Sequence, residues 1–509
     1  MGHVFLRGSF FEKTIKKTSY IFGMKELEYL TATEIGSMVN AKEISPTEVL
    51  KYFEERIKVR NPSINAFVYT DFEDAYKEAK LMEERLAKGE NCGVFAGVPV
   101  GLKDFLPSKK GWTNTHGGVK ALTRVDDFDS EFYKAARKLG AIAIGKTNAP
   151  AFAFRGLTDN YLYGATSTPF KVGYNSGGSS GGTASAVADG LIPLGEGSDG
   201  GGSIRIPAAM CGCFGYKASV GSIPSVCRPD GWTATHPYCF NGAITRNVTD
   251  AAHIYQEMIH YDPRDPLSLP IEHNLIAALN YLRDLRGIKI ALTYDFNLFK
   301  DVDSKIVEAV KKSAEALRSL GAIVEEVDFD FKNYDLKTLA DLWCKAISMD
   351  TALDMHFWKE EGLDLLNKYR DQLPDPFVYW NEKAFNLNVL DVRAFNDART
   401  AILDAHEDIF EKYDIIIAPT TTCLGVKNSE IKGETLGPGE NGTIGFCETF
   451  LENFTGNPAA SIPVGTADGF PIGMQIIGKK FRDEDVFRVA KKLEEVQPWS
   501  YDIPKNRAI

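Results

Sequence analysis

Two serines and one lysine carry the residue types from which this chain could build a reaction. Ser179 and Ser203 sit in the stretch Tyr174 to Pro207, YNSGGSSGGTASAVADGLIPLGEGSDGGGSIRIP, within two glycine-serine clusters, Gly177 to Gly182 and Gly200 to Ser203. Glycine at this density costs roughly 0.5–1 kcal/mol per position relative to alanine in regular structure. It is tolerated where backbone must approach something closely or where bare N–H groups must converge on an oxygen. Serine hydroxyls among such N–H groups can attack a carbonyl or pass on a proton. A serine needs a base, and lysine serves if burial keeps it neutral by pulling its pKa down. Lys103 follows Val94 to Leu102, a run with no other charge. A lysine snorkelling at a strand end, or one paired with the adjacent Asp104, reads equally well from the local sequence.

Three generic motifs compete for the same residues. Gly140 to Thr147 fits the phosphate-loop spacing GxxxxGKT, but the apolar strand lies between the glycines instead of before them, and Pro150 interrupts any helix after Thr147. Gly195-x-Gly197-x-x-Gly200 fits a dinucleotide fingerprint, without a helix at once or an acid about twenty residues on. Gly177-x-Ser179-x-Gly181 fits a nucleophile elbow, yet the segment before it is polar and holds Pro169, and no histidine has a supporting local motif.

The elements that must position these residues read as alternating strands and helices. Thr31, Ser45 and Thr70 each precede a glutamate by three residues, a reciprocal helix cap, and Pro46 suits a first helical turn. Strands are expected at Val94 to Phe105, at AIAIG after a helix from Ser130 to Leu139, at Ile288 to Asp295, and at GAIVEEVDF after a helix starting near Asp303. Further strands are expected at Tyr413 to Pro419, Ala459 to Gly465 and Pro471 to Gly478, then a helix from about Glu484 to Val496. This alternation implies an α/β fold: a mixed, largely parallel twisted central sheet covered by helices on both faces. Asp335 to His406 reads as an aromatic-rich helical insertion over the sheet, either walling a substrate channel or, for any single aromatic, packing in the core.

The 509 residues, 44% hydrophobic and 25% charged, suit a globular protein with a large core. The formal net charge of −11 disfavours nucleic acid and anionic membrane as partners. No run reaches the roughly 18 apolar residues of a membrane span. The eight cysteines and eight histidines show no ligand spacing, so no metal, no cofactor and a reducing, cytoplasmic setting are expected. Residues 1–23 read as an N-terminal extension ahead of one domain over 24–509. A homodimer stays open.

Several segments resemble the amidase signature family. GVPVGLKDF resembles its lysine strand, and GGSSGG with TASAVA and GSDGGGSIRIPAAMCG its signature core. GAITRNVTDAA, YDIIIAPT and PIGMQIIG resemble downstream segments, so the similarity runs from about Met24 to the end. The resemblance implies amide hydrolysis through an acyl-enzyme. Ser203 would be the nucleophile, Ser179 a bridging serine after a cis peptide bond, and Lys103 the final proton acceptor. The N–H groups of Gly200, Gly201, Gly202 and Ser203 would form an oxyanion hole. Ser180 would be an auxiliary hydroxyl, and Asp199 and Arg205 structural supports, although Arg205 reads equally as one half of a surface ion pair. THPYCFNGAITR departs from the serine-leucine-aspartate-glutamine run usual in the glutaminase subunits of glutamyl-tRNA amidotransferases. GSDGGGS also leans toward the stand-alone amidases, which include aminohexanoate cyclic-dimer hydrolases. A small-molecule amide is the implied partner, its selectivity resting in Asp335 to Thr443, where no motif is readable. A nucleotide-binding protein is the alternative of another class.

Overall fold

Runs such as Ile415–Pro419 are apolar on every residue, so a strand built from them needs cover on both faces. The computed structural model meets that need with one large sheet between two layers of helices. It describes residues 26–499 except 107, 229–230, 233–238, 282, 431–432, 436 and 438–443. The expected extension over residues 1–23 lies outside the described residues. The strands in chain order are β1 Phe67–Thr70, β2 Pro99–Lys103, β3 Thr113–Asn114, β4 Arg124–Val125, β5 Ile142–Thr147, β6 Leu194–Asp199, β7 Phe214–Lys217 and β8 Phe240–Thr245. They continue with β9 Lys289–Leu292, β10 Ile323–Glu326, β11 Ile415–Pro419, β12 Ala459–Ala467 and β13 Phe470–Gly478.

Strands β3 and β4 pair alone, and the other eleven form one mixed sheet in the order β1-β5-β2-β6-β8-β7-β12-β13-β11-β9-β10. Parallel pairing occurs in two runs, β5-β2-β6 and β11-β9-β10. Each parallel step needs a crossover. The helices Glu131–Lys138, Gly181–Ala188 and Ser304–Ser319 provide three of them. Between the two runs the pairings are antiparallel. The hairpin of β12 and β13 turns on Asp468 and Gly469, both at positive φ (51° and 81°), as a two-residue loop matching strand twist requires.

Alternation along the strands separates two cores. Ile415 and Ile417 join one cluster while Ile416 and Ala418 join the other, and Ile476 and Ile477 divide in the same way. One layer includes the helices Pro46–Ile64, Ser304–Ser319 and Asp483–Val496; the other includes Leu336–Glu360, Asp375–Ala384 and Val389–Phe410. These last three occupy the stretch read as a helical insertion.

The caps at Thr31 and Ser45 form with both reciprocal hydrogen bonds. The one read at Thr70 does not. Thr70 ends β1, and the Asp71 side chain caps the helix Phe72–Ala87 by accepting from the Asp74 N–H at 3.0 Å. A four-residue strand beside a stronger capping carboxylate leaves the threonine no role there. Lys146 of the phosphate-loop look-alike is fully buried within β5 and paired with Asp126 at 2.7 Å.

Candidate active site

Lys103 is the last residue of β2, whose five residues are all buried between parallel neighbours. Its own N–H donates to Glu196 Oε2 at 3.0 Å. The side chain is 2% exposed, and Nζ donates to Ser179 Oγ at 2.7 Å and Ser198 Oγ at 2.9 Å. Neither bland reading of this lysine holds: it does not reach bulk water, and the Asp104 carboxylate instead accepts from Thr115. Burial lowers the amine to about 7, against a partial pull upward from Cys239, Glu196 and Asp199.

Ser179 and Ser180 lead into the helix Gly181–Ala188, and the Gly178–Ser179 peptide bond is cis. Ser180 joins the two glycine-serine clusters. Its N–H donates to the Ser203 carbonyl at 3.1 Å, and its hydroxyl bridges the backbone N–H and carbonyl of Ser198. The structure therefore brings Lys103, Ser179, Ser180 and Ser203 together, with Ser203 8% exposed. No hydrogen bond joins the Ser179 and Ser203 hydroxyls among the described residues.

Between β6 and the helix Arg205–Cys211 the chain turns through Gly200, Gly201, Gly202 and Ser203. Gly202 has φ +117°, and a Cβ there would lie 1.9 Å from Thr449 Oγ1, so no other residue fits without rebuilding the turn. Its N–H donates to Asp199 Oδ1 at 2.7 Å. Of the three glycines expected to offer N–H groups to an oxyanion, Gly202 thus turns its donor inward. The N–H groups of Gly200, Gly201 and Ser203 meet no acceptor among the described residues.

Beneath this turn lies a buried charge network. The Arg205 guanidinium donates to both oxygens of Asp199 at 3.0 Å, to Glu452 at 3.0 Å, to Gln475 at 2.9 Å and to Asn453 at 2.7 Å. Arg205 is 0% exposed, so the surface-pair reading fails. Burial alone would raise the Asp199 carboxyl, but the Arg205 charge and the hydrogen bonds from Arg205 and Asn453 together outweigh it and hold it at about 2. Sequence reasoning missed Ser198, although it lies in the serine-bearing core segment. It also missed Trp343, Thr449, Glu452 and Asn453, which reach the turn from 143 to 248 residues away and leave no local signal.

This arrangement pairs a desolvated amine with serine hydroxyls beside free backbone donors, the parts needed for acyl transfer at a carbonyl. Comparison with known proteins agrees. A crystal structure of a bacterial aryl acylamidase of the amidase signature enzymes superposes with a TM-score of 0.90 at 38% identity, over 94% of this chain and 99% of that one. An acylamidase of Rhodococcus erythropolis is 31% identical, over 95% of this chain and 99% of its own length. The glutamyl-tRNA(Gln) amidotransferase A-type subunit of Geobacillus thermodenitrificans is 32% identical, over 93% and 98%. A 6-aminohexanoate cyclic dimer hydrolase aligns at 27% identity with a TM-score of 0.81, over 93% and 98%. The amidase family model matches residues 48–487; the chain belongs to the amidase signature family and is a hydrolase of carbon-nitrogen amide bonds.

Proposed function

We propose that the chain is a stand-alone amidase that cleaves acyl amides through a lysine-serine-serine relay and an acyl-enzyme. The observation that carries this reading is the buried Lys103 amine, lowered to about 7 and 2.7 Å from Ser179 Oγ. Neutral Lys103 takes the proton of Ser179 as Ser179 takes that of Ser203, and the Ser203 oxygen bonds to the substrate carbonyl carbon. The N–H groups of Gly201 and Ser203, with Gly200 beside them, receive the negative oxygen. As the tetrahedral centre collapses, the carbon-nitrogen bond breaks and the proton returns along the relay to the departing amine. Water then repeats the attack on the ester, freeing the carboxylate and restoring Ser203. Asp199 and Arg205 hold the turn in place and take no part in proton transfer.

An acyl anilide, the amide of an aromatic amine, is the favoured substrate class. The Phe105 ring lies 5.5 Å from the Lys103 amine and the Trp343 indole rests against Gly201, so aromatic rings adjoin the reacting groups. The 38% identity to an aryl acylamidase supports the same class. All eight cysteines are thiols, which suits a reducing cytoplasmic setting. The test is hydrolysis of p-nitroacetanilide together with fluorophosphonate labelling and peptide mapping. Label is expected on Ser203, and Lys103→Ala should lose at least about 100-fold in turnover at pH 7 while still folding, as read by circular dichroism. A label elsewhere, or a Lys103→Ala variant as fast as wild type, rejects the assignment. Glutaminase activity appearing only with added partner subunits would favour the amidotransferase reading.

A further inference from the structure

We infer that Trp343 is a positioning residue for the oxyanion-binding turn: its indole N–H fixes the Gly200–Gly201 peptide so that the Gly201 N–H faces the reacting carbonyl. The inference rests on the reading of Ser203 as nucleophile. In a trans peptide the carbonyl of one residue and the N–H of the next point in opposite directions. Each carbonyl of this turn is held. Gly200 O accepts from Trp343 Nε1 at 3.2 Å, Gly201 O from Thr449 Oγ1 at 2.7 Å, and Gly202 O from the Ile206 N–H at 2.6 Å. The opposing N–H of Gly202 goes to Asp199, and those of Gly201 and Ser203 have no acceptor among the described residues.

The three clamps differ in origin. Ile206 lies in the helix that follows the turn, and Thr449 lies just ahead of the buried helix Leu451–Thr455. Trp343 arrives from the helix Leu336–Glu360 and is 4% exposed. The peptide it holds is flanked by glycine on both sides, and glycine offers almost no torsional resistance to rotation of that peptide. The Gly200 carbonyl has no other donor among the described residues, so the indole is its restraint. The ring also packs closely against the turn: a Cβ at Gly201 would stand 2.4 Å from Trp343 Cζ2. The helix Leu336–Glu360 and the proposed oxyanion donor are therefore joined through one side chain.

Trp343→Phe removes the N–H and keeps an aromatic ring. With p-nitroacetanilide, kcat per fluorophosphonate-titrated site should fall about 10-fold or more, part of the 10²–10³ lost when such a donor is deleted, while KM stays within about twofold. Phenylboronic acid, whose tetrahedral serine adduct puts a negative oxygen in the same place, should lose affinity by the same factor as kcat. A merely structural tryptophan would lower the melting temperature or the titratable fraction and leave kcat per site and boronate affinity unchanged; that result overturns the inference. If Trp343→Phe does not fold, Gly201→Ala pushes the indole away from the other side and should give the same paired losses. Its failure to do so overturns the inference equally. Wild-type protein that neither hydrolyses the anilide nor takes the label at Ser203 defeats the underlying functional reading instead. Wild-type protein that does both, beside an unchanged variant, defeats this inference alone.

Discussion

Lys103 shows how one residue's environment sets its chemistry. A lysine in water is protonated at neutral pH and cannot accept another proton; at about 7 a large share is neutral and can. The catalytic form lies above this pKa, so kcat/KM should climb with pH on an acid limb whose midpoint is near 7, measured from initial rates across pH 5–9. A limb near 4–5 would point to a carboxylate base. The same depression has a thermodynamic sign. Between about 7 and the ordinary lysine value the unfolded chain holds a proton that the folded chain has released, so stability rises with pH. The difference in unfolding free energy between wild type and Lys103→Met should move in favour of wild type from pH 7 to pH 10, as read by urea titration at each pH. The uncharged run Val94 to Leu102 made the lysine a candidate, and only the resemblance of GVPVGLKDF to the family's lysine strand chose it over a snorkelling or paired lysine. Its second partner was not recognisable, because nothing in GEGSD indicates that Ser198 points toward β2.

Elements place these groups, and their ends matter most. Ser179, Ser203 and Lys103 all stand where a strand stops or a helix starts, so each is fixed on one side by regular hydrogen bonding and free on the other. The support beneath them is the Arg205 network. Removing one member of a fully buried pair leaves the other charge without compensation, at a cost of about 3–5 kcal/mol. Arg205→Met strands Asp199 and Glu452 together and should lower the urea midpoint accordingly or prevent folding; an unchanged midpoint would show that the network contributes nothing. Arg205→Lys should not rescue it, since an ammonium cannot span five acceptor contacts with planar geometry. Helices with strong caps, such as those after Thr31, Ser45 and Ser130, were legible, as were apolar strands such as Ile415–Pro419. Strand β6 was not: LGEGSD has the composition of a loop, and only pairing with β2 and β8 makes it a strand. Thr70 misled because a capping pattern and a short strand share the same letters.

At the scale of the molecule, the mixed sheet was legible from the alternation of elements, while the order of its strands was not. The neighbours β7 and β12 lie more than 240 residues apart, a pairing that no local pattern encodes. Burial of charge between the layers is the main whole-molecule liability. Lys146 and Asp126 are both 0% exposed, and Lys146→Met should destabilise the fold by about 3–5 kcal/mol in urea. It should leave the melting temperature equally insensitive to millimolar ATP, since this lysine is committed to a carboxylate and not to phosphate. An ATP-dependent rise in wild type that the variant loses would reverse that view. Lys103, Ser179 and Ser203, the proposed reacting groups, all lie within the first 203 residues, yet Arg205 finds its last partners at Glu452, Asn453 and Gln475. A polypeptide cut before Glu452 keeps Lys103, Ser179 and Ser203 but loses three of the partners that brace Arg205 beneath the turn. Such a fragment should take no fluorophosphonate label and turn over no amide, however well its first half folds.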